Sequence, residues 1–262
     1  MNARPKKSFG QHFLHEKRYI ERIVSSIAPR PADVVVEIGP GEGALTLPLL
    51  AAAGKLTAIE LDTDLIPGLQ ARAEAVGELR IVHSDVLKVD FTALARELGV
   101  ARVRIAGNLP YYISSPILFH CVDHAAAIQD MHFMLQKEVV DRMAAEPGSK
   151  VYGRLSVMLQ LACRVEPLFT VPPGAFRPPP KVDSAVVRVV PLPPEQRHDA
   201  DPERVYAIVK AAFAQRRKTL SNGLKQLMDA AAIETAGIDP KARAETLAPL
   251  DFVRLAKVPT AT

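Results

Sequence analysis

Only two cysteines, Cys121 and Cys163, occur in the chain, each in an apolar neighbourhood and neither with a C-x-x-C partner. That usage excludes a disulfide framework and a zinc site, and predicts two buried thiols. The seven histidines are scattered, without metal-ligand spacing. Long apolar runs are missing too. Nothing approaches the roughly twenty residues of a membrane span, and the start, MNARPKKSFGQHFL, lacks the apolar stretch of a signal peptide. A cytoplasmic protein without membrane contact is expected.

What is present fits a soluble globular protein: 262 residues, 48% hydrophobic and 24% charged, long enough for one large α/β domain or a domain with an appendage. The net charge of +4 hides an asymmetry. Residues 1–30 carry seven Lys or Arg against two acids, residues 202–262 carry ten against six, and the stretch between is acidic. Basic ends around an acidic centre suit a protein that meets a phosphate backbone at its periphery. A solvated surface without a partner is the alternative.

Apolar positions Ile20, Ile23, Val24 and Ile27 recur at helical spacing over residues 16–28, and Pro29 closes the segment. Strand-like runs at 34–38, 56–61, 79–83 and 102–106 then alternate with helical stretches, which predicts βαβ units and a parallel sheet. Ser114-Ser115-Pro116 reads as a helix cap with proline in the first turn. Residues 128–136 and 182–190 read as further strands, and 154–161 as a helix. PLPPE at 191–195 reads as a boundary, and VYAIVKAAFAQRRKTLSNGLKQLMDAA beyond it as helical. The expected organisation is an α/β domain over 1–194 and a small helical domain over 195–262.

Parallel sheets bind ligands at the carboxyl ends of their strands. The loops there carry Gly39 to Gly43, Glu60 to Asp64, Ser84-Asp85 and Gly107 to Tyr111. Gly39, Gly41 and Gly43 follow a buried strand and precede a helix, where backbone must approach a ligand closely. Glu60, nineteen residues past Gly41, is placed to accept hydrogen bonds from ribose hydroxyls. Both nicotinamide and S-adenosylmethionine enzymes use such an acid. A diphosphate favours free amides without negative charge nearby, whereas here Glu37 and Glu42 flank the turn, which suits a sulfonium-bearing ligand. Asp85 is placed to accept from an adenine amino group, or else caps a turn.

Asn108-Leu109-Pro110-Tyr111 offers a methyl-accepting adenine two acceptors and a ring. The adenine amino lone pair is delocalised into the base. Acceptors out of the ring plane would favour the tetrahedral nitrogen and aim its lone pair at the methyl. Asn108 supplies a side-chain carbonyl, and Leu109 a backbone carbonyl held before Pro110, while Tyr111 stacks on the base. No general base is evident. Phe176, in Phe176-Arg177-Pro178-Pro179-Pro180-Lys181, is expected either as the opposite wall of the slot or as a core anchor.

The chain resembles the ribosomal RNA adenine dimethyltransferase family of the KsgA/RsmA type. The resemblance rests on Phe9-Gly10-Gln11-His12-Phe13-Leu14, Glu37 to Gly43, Asn108 to Tyr111, Met131 to Glu138, Tyr152-Gly153-Arg154-Leu155-Ser156, Pro178 to Ser184, and Gln215-Arg216-Arg217-Lys218-Thr219. It implies a Rossmann-like S-adenosylmethionine-dependent methyltransferase domain with a small C-terminal helical domain. It also implies transfer of four methyl groups to two adjacent adenines near the 3′ end of 16S ribosomal RNA, in the small subunit or its precursor. The implied cofactor contacts are His12, Leu14, Gly39, Glu60, Asp85 and Asn108. His12 stands where the family commonly has asparagine, and so does Tyr112.

Arg4, Lys6, Lys7, Lys17 and Arg18 in or beside the amino-terminal arm, with Arg216, Arg217 and Lys218, are the expected phosphate contacts. A solvated helix face is the alternative for the second cluster. The other readings weighed are a large-subunit adenine methyltransferase, a non-catalytic assembly factor and a nicotinamide oxidoreductase. The last leaves Asn108 to Tyr111 without a role. A monomer is expected.

Overall fold

The computed structural model describes residues 12–215 and 217–259. In chain order the elements are β1 (Phe13–Leu14), α1 (Lys17–Ile27), β2 (Val35–Ile38), α2 (Thr46–Ala53), β3 (Lys55–Glu60), α3 (Ile66–Ala73) and β4 (Glu78–His83). There follow α4 (Phe91–Glu97), β5 (Val103–Asn108), α5 (Ser114–Asp123), β6 (Ile128–Gln136), α6 (Lys137–Met143), α7 (Arg154–Ala162), β7 (Cys163–Val171), β8 (Phe176–Arg177) and β9 (Ser184–Pro191). The last are α8 (Pro202–Ala214), α9 (Leu220–Gly223), α10 (Ala230–Thr235) and α11 (Pro249–Lys257).

The chain divides into two compact units, residues 1–140 with 166–191 and residues 141–165 with 192–262. In the first, a seven-stranded sheet runs in the order β4-β3-β2-β5-β6-β9-β7. β2 is parallel to β3 and β5, β3 to β4, and β5 to β6, while β9 is antiparallel to β6. Chain order therefore reverses between β2 and β5. In open α/β sheets that switch point opens a crevice at the carboxyl ends of the strands. All four residues of β2 are buried, as a central parallel strand covered on both faces requires. Gly107, on β5, sits where an added Cβ would come within 2.5 Å of the Ile38 carbonyl oxygen, so only glycine lets these strands close at the switch point.

α1 buries Ile23 and Ile27 against the core, and its C-terminus is tied to the sheet by Arg104. The guanidinium donates to both carboxylate oxygens of Asp130 (2.8 and 2.9 Å), to Asp33 (2.7 Å) and to the Ile27 carbonyl (2.7 Å). One buried cation thus joins α1, the loop before β2, β5 and β6. Burial works against the Asp33 charge, but the Arg104 hydrogen bond, the Arg30 amide and the two arginine charges together outweigh it and hold the carboxyl below its usual range.

Four details depart from the sequence reading. β7 lies between the helix at 154–161 and the strand at 182–190, where the sequence reading placed no element. Pro167 is tolerated because β7 ends the strand order, where a missing ladder donor costs little. Ser114 is the first residue of α5 rather than its cap, and its hydroxyl donates to the Tyr111 carbonyl at 3.2 Å. The helical run after residue 202 breaks at Gln215, whose φ of −135° and ψ of 79° leave the helical region, so Arg217 and Lys218 lie between α8 and α9 and not within a helix. The domain division also differs from a single boundary at 195. α7 contributes Val157 and Leu161 to the same apolar cluster as Val205, Ile208, Leu224 and Phe252. A helix between two strands in the chain gives no local sign of which core will take its apolar face.

Cys121 and Cys163 are buried and form no disulfide. Among the described residues no helix is long and apolar enough to cross a membrane.

Candidate active site

The turn after β2 brings the cleft into being. Gly39 and Gly41 adopt φ of 66° and 56°, a left-handed region that side chains rarely occupy. A Cβ on Gly41 would also stand 3.1 Å from the Phe13 ring, so the turn leaves room for backbone only. Around it, His12, Gly39, Glu60, Asp85, Asn108 and Tyr111 line one cleft, to which Leu14, Gly41, Leu109 and Pro110 also contribute. The β-strand ends therefore assemble the expected residues although they are far apart in sequence.

Glu60 ends β3 almost fully buried. Its Oε1 accepts from the amides of Leu61 and Asp62, both at 2.8 Å, and its Oε2 accepts from Gly41 at 3.2 Å. A carboxylate offers about four lone-pair directions, so one acceptor direction remains for a ligand hydroxyl. Burial raises its pKa, partly offset by the three amide hydrogen bonds. Asp85 fulfils the cap alternative, with Oδ1 accepting from the Leu87 amide at 3.0 Å, and it also lines the cleft.

Glu37 is the functional feature that residue spacing underplayed. It lies on the cleft wall, 1% exposed, and its Oε2 has no hydrogen-bond partner. Burial, with a smaller push from the Glu60 charge, raises its pKa to about 8. Buried polar atoms without a partner are rare and costly. Glu60 and Asp62 line the same cleft as Glu37, and their carboxylates fit a ligand that brings donors and positive charge, as the ammonium and sulfonium of S-adenosylmethionine do. A diphosphate would meet those two charges with repulsion.

At the other wall, Asn108 Nδ2 donates to the His12 carbonyl at 3.0 Å. A carbonyl can only accept, so the amide orientation is fixed and Oδ1 is the atom left to accept from a substrate. Leu109 is anchored by its buried side chain and by its amide, which donates to the Met134 carbonyl at 3.1 Å. The Tyr111 hydroxyl pairs with the Ser184 hydroxyl at 2.6 Å, and burial raises the phenol pKa, which disfavours the phenolate a base would need. Ser184, at the start of β9, escaped the sequence reading as a site residue. Its only trace there is its place at the end of the Pro178 to Ser184 motif.

Phe176 is not a wall of the cleft. It is 2% exposed, pairs with Leu14 across the two-stranded β1–β8 ribbon, and packs with Val171, Ala175 and Val186. The core-anchor alternative describes its position, because β1 lies over it. Tyr112 lines the cleft yet is 57% exposed. Arg217 and Lys218 are exposed on the turn after α8. Lys17 pairs with Glu21 at 3.5 Å, and the Arg18 guanidinium lies over the Tyr19 ring. Arg4, Lys6, Lys7 and Arg216 lie outside the described residues.

Residues 2–260 match the family described as ribosomal RNA adenine dimethylase. Among curated relatives, the ribosomal RNA small subunit methyltransferase A of Xanthomonas campestris pv. campestris strain B100 is 60% identical over 257 residues, which are 98% of this chain and 97% of the relative. The protein of the same name from Xanthomonas oryzae pv. oryzae strain PXO99A matches to the same extent. Among solved structures, a dimethyladenosine transferase from Plasmodium falciparum aligns with a TM-score of 0.77 and 26% identity, covering 93% of this chain and 96% of the other. The 23S rRNA methyltransferase ErmE aligns with a TM-score of 0.72 and 26% identity, covering 94% and 98%.

Proposed function

This chain belongs to the ribosomal RNA adenine dimethylase family, and from that premise we propose that it dimethylates the exocyclic amino groups of two adjacent adenosines near the 3′ end of 16S ribosomal RNA. It is an S-adenosylmethionine-dependent methyltransferase whose substrate is ribosomal RNA. The proposal places its action on the small subunit or its precursor, in the cytoplasm, as a monomer, with a part in subunit biogenesis. The fixed amide of Asn108, which leaves Oδ1 to accept beside a cleft suited to a cationic nucleoside, is the observation that carries the reading.

The cofactor, when bound, supplies an electrophilic methyl group on a sulfonium. The chain's own residues prepare the acceptor. Asn108 Oδ1 and the Leu109 carbonyl take the two amino hydrogens out of the base plane, which shifts lone-pair density from the ring to the nitrogen. Tyr111 holds the base by stacking. Proton loss follows methyl attachment, so no strong base is needed. Gly39, Gly41, Glu60 and Asp85 would hold the nucleoside part of the cofactor, with Glu37, Leu14 and His12 completing the cleft around it. After one transfer a single N–H remains, so one acceptor loses its partner and the base must reseat before the second.

Reaching an adenine in a folded ribosomal particle requires it to be splayed out of its stack. The proposal gives Arg4, Lys6, Lys7, Arg216, Arg217 and Lys218 the task of holding phosphates around it. Large-subunit RNA is less favoured, since the relatives at 60% identity carry a small-subunit name. The deciding experiment incubates the protein with labelled S-adenosylmethionine and each unmethylated ribosomal subunit, then maps the label. Two adjacent dimethyladenosines in the small subunit are expected. Label in the large subunit alone would overturn the assignment.

A further inference from the structure

His12 spans the two groups that the methyl-accepting base has to reach. Its carbonyl accepts from Asn108 Nδ2 at 3.0 Å, and its imidazole stacks on Tyr111 with ring centroids 5.5 Å apart and planes inclined by 28°. The ring is held there from the other side, with Nδ1 2.8 Å from the Pro178 carbonyl. Because that carbonyl only accepts, Nδ1 carries the hydrogen. The next two residues pair with β8, Phe13 with Arg177 and Leu14 with Phe176. The imidazole is thus a planar heteroaromatic ring fastened by a donated hydrogen bond and by the backbone pairing of the two residues that follow it.

A base sandwiched between two rings needs them about 7–8 Å apart, twice the optimal carbon–carbon separation. The observed 5.5 Å admits no ring between His12 and Tyr111. His12 thus contacts both Tyr111, through its ring, and Asn108, through its carbonyl. We propose that His12 occupies the place of the methyl-accepting adenine in the base-free enzyme, and that the imidazole is displaced from Tyr111 each time a base is seated. His12 is then a gating residue that sets the affinity of the slot for the base. It also offers the site a stacked ring between the two transfers, when the monomethylated base has to reseat.

The inference rests on Tyr111 being the stacking platform, and the experiment separates the two. The probe is 2-aminopurine riboside, an isomer of adenosine whose fluorescence falls when it stacks, titrated into the full-length protein. His12→Ala is expected to tighten binding roughly threefold to tenfold, the factor that one net hydrogen bond represents. His12→Asn, which keeps a polar group but has no ring, should give a gain of the same direction and stands in if the alanine variant does not fold. Tyr111→Ala should weaken binding in both backgrounds. If removing the His12 ring leaves the affinity unchanged or lower while Tyr111→Ala still weakens it, the gate is refuted and the platform stands. If Tyr111→Ala changes neither background, the platform itself is wrong and the gate falls with it.

Discussion

Asn108 Nδ2 fastens the His12 carbonyl, which leaves Oδ1 to accept, the task that the proposed function gives it. Asn108→Ala removes the acceptor while leaving distant phosphate contacts in place. Turnover should fall by about 10²- to 10³-fold, the usual cost of one preorganised hydrogen-bonding group at a reacting centre, with little change in affinity for the ribosomal subunit. Single-turnover methylation with parallel filter binding separates the two. Glu37 makes a second prediction at this scale. Its pKa of about 8 in the fold lies above the ordinary glutamate value of 4.5, so between these values the folded protein holds a proton that the unfolded chain has released. The stability present below about pH 4.5 is therefore lost progressively as pH rises through about 8. Urea midpoints compared between wild type and Glu37→Gln from pH 5 to 9 should converge at the acid end and separate at the alkaline end. A constant difference across that range would remove the buried-carboxyl assignment.

Elements are held in register by contacts that no single element contains. Arg104, on β5, reaches the end of α1, the loop at Asp33 and β6 through Asp130, all of them within the first unit. Removing one partner of a buried ion network strands the remaining charges. Arg104→Ala should therefore cost about 3–5 kcal/mol of unfolding free energy, measurable by denaturant titration. The loss belongs to the fold and not to the chemistry. At temperatures where the variant remains folded, its cofactor affinity should stay near that of the wild type, because the network lies at the opposite strand ends from the cleft. The ribbon of β1 and β8 works differently. Two residues from each strand suffice to put Leu14 over Phe176, and so decide that this phenylalanine is core and not slot.

The whole molecule divides its work between an α/β unit that carries the cleft and a helical unit with its own apolar core of Tyr152, Val209, Leu224 and Phe252. The turn after α8 presents Arg217 and Lys218 to solvent. If these side chains meet phosphates, Arg217→Glu with Lys218→Glu should weaken binding to the small subunit and flatten its salt dependence. The slope of log affinity against log salt should fall by roughly 1.4–1.8, given about 0.7–0.9 per phosphate contact. An unchanged slope would return the cluster to a solvated surface.

Local pattern carried much of this protein in the sequence itself. Alternating buried runs and helical stretches dictated a parallel sheet, and glycine or acidic residues after its strands marked the ligand edge, because those effects act over a few residues. The Asn108 to Tyr111 stretch announced a planar, acceptor-bearing slot for the same reason. Tertiary structure alone decided what depends on distant partners: that α7 joins the helical core, that Pro167 sits harmlessly in a terminal strand, that Phe176 is covered, and that Glu37 keeps an unpaired oxygen. It also decided that His12 lies on Tyr111, two residues 99 positions apart brought together by the closing of β1 onto β8. Propensity and periodicity are properties of neighbours in the chain. Burial, desolvation and the pairing of a lone hydrogen-bonding atom are properties of neighbours in space.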